Sequence, residues 1–268
     1  MSIFFTDPSS TTIVYKYVYA GFALSNEEQI ITLPIEASGL QTKDVYVIAN
    51  YDDESELNAL TDLSEMNALF TPEVDKSYIL DPSNGFCMFG YTENVDFTDS
   101  SNLPVYVPLT RTCAKFRITL RFPEGAELST VNSFLIQKAA KYTYVVENLT
   151  EMLPATDYFN YATALPLTDN GSEAYASLTY LYESAQAPEI TIYTHLNNGT
   201  EEQEFTTTLP IPQRNYLYDL NIYVYDEETT TRSSSAEGTA KYSCRSTLRI
   251  YNEYGEETEE WSGTFIQR

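Results

Sequence analysis

Positive charge is scarce in this chain: 15 Lys and Arg stand against 39 Asp and Glu, a formal net charge of -24 at pH 7. Phosphates and anionic lipid headgroups reward the opposite sign, so the charge argues against nucleic acid and against a bare membrane surface as partners. There is one histidine, His195, and there is no GxGxxG, P-loop or HExxH pattern, so nucleotide-binding and zincin chemistry have no support. His195 sits on the more polar parity of an alternating stretch, with no Ser or Cys elbow beside it, and reads as an ordinary strand residue. The three cysteines, Cys87, Cys113 and Cys244, are far apart and show no CxxC spacing, which argues against a metal site. They read as small buried thiols, with a Cys87–Cys113 bridge as the alternative in an oxidising compartment. No apolar run is long enough to span a bilayer, and Met1 begins no signal-like segment, so export would require a targeting segment already removed.

What the chain has in quantity is carboxylate and tyrosine. The acids lie in short runs between apolar segments, as at Asp52 to Glu54, Glu201 to Glu204 and Glu256 to Glu260, and read as solvated loops, with calcium sites as the minor alternative. No pair of them is singled out as a glycosidase-like couple, so no catalytic residue and no cofactor is expected. There are 23 Tyr against 13 Phe and a single Trp, Trp261. Tyrosine with Val, Ile and Thr fits half-buried pleated surfaces, so the excess predicts β structure.

Along the chain, Ile13 to Tyr19, Gln29 to Pro34, Lys43 to Tyr51 and Phe86 to Tyr91 predict strands. Asp53-x-x-Glu56 and Asp62-x-x-Glu65 resemble capping boxes, and Leu57, Leu60, Leu63, Met66 and Phe70 recur at helical spacing, so one or two short helices near 54–70 are expected to cover a sheet edge. From Pro104 to Phe122 the apolar parity flips: Val105, Val107 and Leu109 give way to Ala114, Phe116, Ile118, Leu120 and Phe122. A side chain changes face at every residue of a strand, so the flip predicts a bulge or kink near Thr110 to Cys113 within one central strand of the first domain. That strand carries Arg111, Lys115, Arg117 and Arg121 on its opposite face.

Val131 to Val146 reads as one or two further strands, and Glu147 to Asp157 as a domain boundary, dividing the chain into 1–150 and 151–268. Beyond it, period-two alternation is clean at Leu178, Tyr180 and Tyr182, at Ile190 and Ile192, and from Tyr216 through Tyr218 to Val224, with Asn197-Asn-Gly199 as a hairpin turn. Closely spaced strands with few helices predict a β-sandwich. Residues 226–240 lack any large apolar side chain and read as a flexible linker. After it comes a tethered hairpin, 241–266, apolar at Tyr242, Cys244, Leu248, Ile250, Trp261, Phe265 and Ile266, which can pack on its own domain or reach another molecule.

Five segments together resemble the fimbrillins, the FimA-type and Mfa-type pilus subunits of Bacteroidetes: Val45-Tyr-Val-Ile-Ala-Asn50, Cys87-Met-Phe-Gly90, Leu109-Thr-Arg-Thr-Cys-Ala-Lys-Phe116, Tyr180-Leu-Tyr-Glu-Ser184 and Gln213-Arg-Asn-Tyr-Leu-Tyr218. The resemblance implies two consecutive transthyretin-like β-sandwich domains and no enzymatic activity. It implies a structural, tip or anchor role in a cell-surface fimbria, with other pilus subunits and surface ligands as partners and a lipid anchor to the outer membrane on a removed N-terminal segment. It also implies assembly by strand exchange, in which an N-terminal strand is lost and a neighbour's C-terminal segment fills the groove, an outcome that an unpaired sheet edge makes physically reasonable. The donor is then expected in the hairpin, and Arg111, Lys115, Arg214, Asn215 and Tyr218 become structural motif residues. No lipobox cysteine precedes the first strand and no Arg or Lys precedes Lys16, whereas Arg232 is an exposed-looking cleavage candidate. The rival reading is a surface adhesin or glycan-binding lipoprotein that does not polymerise.

Overall fold

A computed structural model describes residues 1–19, 31–33, 40–74, 85–99, 104–122, 132–147, 157–169, 174–194, 202–226, 242–252, 254–264 and 266–267. The chain forms two compact units: Met1–Glu73, Asp81–Thr112 and Tyr142–Thr150 make one, and Val74–Leu80, Cys113–Lys141 and Glu151–Arg268 the other. The division expected near residue 150 is therefore only the last of the crossings. The chain leaves unit 1 at Glu73–Val74 and returns at Leu80–Asp81, then leaves again at Thr112–Cys113 and returns at Lys141–Tyr142.

In the first unit, β1 (Ser2–Thr6), β2 (Ile13–Val18), β3 (Thr42–Ala49), β4 (Met88–Asp96) and β5 (Thr110–Arg111) form one sheet in the order β2-β1-β3-β4-β5. Both of its faces are covered, which is why β1 and β3 are apolar on both parities. On one face Phe4, Ile48 and Phe89 meet Leu57, Leu60, Met66 and Leu69 from the helical region; on the other Ile3, Phe5, Val45 and Val47 meet Val95, Phe97 and the half-buried Val105, Val107 and Leu109. The helices are α1 (Glu54–Ala59) and α2 (Leu63–Asn67). They run along the outer edge of β2, where Ile13 N–H donates to Thr61 O, Leu63 N–H to Thr11 O, and the Lys16 ammonium to the carbonyls of Asn58 and Leu60. Asp62 and Glu65 form the full reciprocal capping box. Asp53 caps Ser55 and Glu56, but Glu56 does not reach back; its carboxylate accepts from the Tyr51 hydroxyl instead. The short segment 31–33 carries no strand, and the remainder of the strand expected at Gln29 to Pro34 lies outside the described residues.

The parity flip has a different origin from the one its pattern suggests. The stretch is not one kinked strand: β5 pairs with β4 in the first unit, Thr112 interrupts, and β6 (Cys113–Arg121) enters the second unit between two other strands. Thr112 is fully buried and anchors the break, its N–H and hydroxyl both donating to Cys87 O. The two halves obey different cores, so no bulge within a strand is required.

The second unit continues with β7 (Ser133–Gln137), β8 (Ala139–Ala140), β9 (Tyr158–Phe159), β10 (Leu165–Pro166), β11 (Thr168–Asp169), β12 (Ala174–Tyr182), β13 (Glu189–Thr194), β14 (Gln203–Thr208), β15 (Leu217–Asp226), β16 (Tyr242–Tyr251), β17 (Glu257–Thr264) and β18 (Ile266–Gln267). A six-stranded sheet, β11-β12-β6-β15-β16-β17, and a five-stranded sheet, β10-β7-β13-β14-β18, share one apolar cluster; β8 and β9 form a separate small pair. This is a β-sandwich. Its centre holds Phe116, Ile118 and Leu120 of β6, Phe134 and Ile136 of β7, Ile190 and Ile192 of β13, Phe205 of β14, and Leu220 and Ile222 of β15, all fully buried. β6 and β15 run parallel inside an otherwise antiparallel sheet. In β12 the alternation has the opposite sense to the apolar pattern: Thr179 and Leu181 point inward, while Leu178 is 52% exposed and Tyr180 half-buried. The turn expected at Asn197 to Gly199 joins two strands that do pair, β13 and β14, but the turn itself, like His195, Phe265 and residues 227–241, lies outside the described residues.

Candidate functional site

The tethered hairpin is already in use. β16 pairs with β15 along its full length, from Leu217↔Tyr251 to Asp226↔Tyr242, and its inward side chains Cys244, Leu248 and Ile250 belong to the sandwich core. β17 then forms the edge of the six-stranded sheet, with Trp261 opposite Leu248, while Ile266 in β18 joins β14 in the other sheet. The turn between β16 and β17 is built by Asn252, whose side-chain oxygen accepts from Tyr254 N–H and Glu256 N–H, and by Gly255 at φ +79. Gly255 takes the left-handed conformation that side-chain-bearing residues avoid. The exposed edge is acidic: Glu257, Glu259 and Glu260 stand along it, and Arg249 on β16 lies 4.0 Å from Glu257 and 3.8 Å from Glu260. The hydrogen bond that Arg249 donates to the Tyr251 side chain, then these two carboxylates, raise the Arg249 pKa. Like charges along an open strand discourage indiscriminate edge pairing.

The opposite end of the chain presents a different geometry. β1 is a five-residue strand, every residue buried, held between β2 and β3 in register Phe4↔Lys16 and Phe4↔Tyr46. The turn that follows it, Asp7 to Ser9, is exposed. Withdrawing β1 from this position would expose two strand edges and the apolar neighbours of Phe4 on one face and of Ile3 and Phe5 on the other, a groove shaped for a strand that is apolar on both parities. Nothing in the composition of residues 2–6 alone distinguishes them as a central strand, and the period-two test misses them because both parities are apolar.

The motif residues separate into two groups. Arg111 and Lys115 are both exposed but lie on strands of different sheets, and their spacing bridges the crossing rather than forming a joint site. Lys115 contributes through its backbone, N–H donating to Tyr216 O. Arg214, Asn215 and Tyr218, by contrast, make one built corner. Arg214 is 6% exposed and Glu183 2%; Arg214 Nε donates to Glu183 Oε2 at 2.7 Å and Nη2 approaches the same oxygen at 2.5 Å. Asn215 sits at φ 63 and its N–H donates to Cys113 O. The Tyr218 hydroxyl donates to Ile211 O and accepts from Gln213 N–H, both at 2.9 Å, a tyrosine corner of the kind β-sandwiches use to fix a strand's entry. Its ring stacks on Phe116 at 4.5 Å, and burial pushes the phenol up to about 12. Glu183 is the partner that the sequence alone does not reveal, because a lone Glu after an aromatic strand looks like any solvated acid. Gly90 in the Cys87-to-Gly90 segment is explained by contact: a Cβ there would collide with the carbonyl of Pro108. Cys87, Cys113 and Cys244 are buried and form no disulfide. Among the described residues no group of three or more His, Cys, Asp or Glu is placed to hold a metal ion, and no helix is long and apolar enough to cross a membrane.

No protein-family model and no curated protein matches the sequence. Solved structures do. The tip fimbrial protein Mfa3 from Porphyromonas gingivalis, with a C-terminal truncation, superposes with a TM-score of 0.53 at 14% identity, over 91% of this chain and 92% of that one. This is the fimbrial fold. A fimbrial assembly protein from Parabacteroides distasonis ATCC 8503 shares it at TM-score 0.51 and 18% identity, over 96% of this chain and 89% of that one. A candidate cell adhesion protein from Bacteroides eggerthii DSM 20697 does so at 0.57 and 12%, over 93% and 89%.

Proposed function

We propose that the chain is a structural or accessory subunit of a cell-surface pilus, assembling with neighbouring subunits by exchange of a β-strand. The observation that carries this reading is β1: five buried residues held between β2 and β3 inside the first sheet, followed by an exposed turn where a protease can cut without entering the core. The fimbrial fold supports it. On this reading the protein works at the cell surface, its partners are other pilus subunits, and it performs no catalysis. The donor is a segment with the alternating character of the C-terminal hairpin, and Tyr242, Cys244, Leu248, Ile250, Trp261, Phe265 and Ile266 are the candidate residues. Because Cys244, Leu248 and Ile250 fill their own sandwich, the whole hairpin cannot be donated without dismantling it, which narrows the transferable part to the end of the chain beyond β16.

The test is to place a specific protease site in the Asp7–Ser10 turn of the full chain, cleave it, and follow the product by denaturing gel without boiling and by electron microscopy. Ladders or filaments after cleavage, and none before, are expected. A cleaved chain that keeps β1 and stays monomeric at high concentration would sink the strand-exchange reading.

A second reading, a non-polymerising adhesin that binds glycans, is favoured by one observation in the first unit. Tyr46 and Tyr91 stack at 5.9 Å on neighbouring strands, and Tyr91 is 53% exposed, a surface on which a sugar ring can lie. Binding to a glycan array that is lost on Tyr91→Ala would favour it.

A further inference from the structure

The outward face of the six-stranded sheet is unlike the rest of the molecule. Its strand register sets side chains in rows. One row runs Tyr180, Lys115, Leu217, Tyr251; the next Leu178, Arg117, Asp219, Arg249; and a third pairs Arg121 with Tyr223 and Tyr223 with Arg245. Five of the chain's 15 cations, Lys115, Arg117, Arg121, Arg245 and Arg249, therefore stand on one sheet face, each exposed. The acids among them are few: Asp219, which holds Arg117 through two hydrogen bonds of 2.9 and 2.7 Å, and Glu257 and Glu260 at the β17 edge. Between the cations lie the exposed Leu178 and Tyr223. Arginine and tyrosine around an apolar centre is the composition of a protein-binding patch.

We propose that this face docks a second copy of the same chain, taking the acidic turn at the start of α1. That turn presents Asp52, Asp53, Glu54 and Glu56, all exposed. At physiological salt the screening length is about 8 Å, so facing patches rather than total charge decide the contact, and a cationic patch on a chain of net -24 finds its complement on another copy. Five neighbouring strands at about 4.8 Å spacing and eight residues of about 3.3 Å rise give a face of roughly 500 Å² in projection, the order of one side of a specific interface. Face and acidic turn are different surfaces, so the contact is heterologous and builds chains or rings of copies rather than a two-fold dimer. It needs no strand exchange; cleavage at the β1 turn leaves it intact, and its failure leaves that mechanism untouched.

The experiment uses the uncleaved full chain. Sedimentation velocity over a wide concentration range at about 0.15 M salt is compared for the parent, Lys115→Gln/Arg121→Gln, and a control, Lys138→Gln, on the other sheet. The parent is expected to form concentration-dependent oligomers that weaken at about 1 M salt, the double variant to associate roughly five- to tenfold more weakly, and the control to match the parent. Circular dichroism melts verify that all three fold alike. Carbodiimide cross-linking of mixed isotope-labelled and unlabelled chains should join Lys115 of one copy to a carboxylate within 52–56 of another. A parent that stays monomeric throughout, a double variant that associates like the parent, or cross-links only within one chain would overturn the proposal. A monomeric parent retained by a sulfated polysaccharide resin, and released by the double variant, would also overturn it and assign the face to anionic glycan.

Discussion

The Arg214–Glu183 pair offers a test of the corner in which single and double variants move in opposite directions. Both side chains are almost fully removed from water, at 6% and 3% exposure, and the two contacts from the guanidinium are supplemented by Arg214 N–H, 3.4 Å from Glu183 Oε1. Removing one partner strands a charge in the interior, which costs about 3–5 kcal/mol. Replacing both by apolar side chains of similar volume removes the stranded charge and is expected to cost little or to stabilise. For a unit of this size about 1 kcal/mol moves the melting temperature by about 2–4 °C, so Arg214→Met or Glu183→Leu alone should lower it by roughly 6–20 °C. The double variant Arg214→Met/Glu183→Leu should recover most of that loss. The assay is equilibrium urea unfolding with calorimetry, assigning the transition of the second unit by the Phe116–Tyr218 stack. Singles and double falling by the same amount would refute the reasoning, since the cost would then lie in lost packing and not in an unpaired charge.

Four further outcomes are expected. Tyr218 and Tyr161 have phenols that burial raises to about 12, above the ordinary value near 10, so their stabilising contribution is complete below pH 10 and is lost as pH rises toward 12. Each amounts to about 2–3 kcal/mol, readable as a falling urea midpoint between pH 10 and 12, and shallower in Tyr218→Phe. Asp62→Ala, which removes the cap on Ser64 and the bond from the Thr11 hydroxyl, should lower the urea midpoint of the first unit in chemical denaturation and leave that of the second unchanged. Gly90→Ala should cost more than a surface change, above about 2 kcal/mol, because the segment at Pro108 must move; an unchanged melt would show that it yields freely. Ellman's reagent should find no reactive thiol in the folded protein and three after unfolding, since Cys87, Cys113 and Cys244 are buried and form no disulfide.

The parts that sequence made legible are those where one face is wet. β15 and β16 alternate because one side meets the core and the other water, and α2 announced itself through a reciprocal cap that involves only four consecutive residues. What stayed hidden was either dry on both sides or dependent on distant partners. β1 is buried throughout and apolar on both parities at Ile3, Phe4 and Phe5, so it has no period to detect. The flip at Thr112 looked like a bulge because a strand changing face and a chain changing sheet leave the same mark on a sequence. Leu178 and Tyr180 were apolar for a reason other than core burial, and Glu183 acquired meaning only when the fold brought Arg214 beside it, 31 residues away. The hairpin residues were correctly apolar, yet only the register reveals that three of them are the sandwich's own filling.

The crossing at Thr112 also orders events in time. β6 leaves the ribosome early, yet its parallel neighbour is β15, and the Arg117–Asp219 pair that joins them spans 102 residues. Its apolar inward row, Ala114, Phe116, Ile118 and Leu120, therefore waits for β12 on one side and longer still for β15 on the other, while the first unit waits for residues 142–147 to return. Neither unit is a contiguous piece of chain, so neither can finish before the other is well advanced. Such a molecule should fold slowly and all but simultaneously. Truncated fragments of such a chain are poor reporters of what either unit does, because no single cut separates the two.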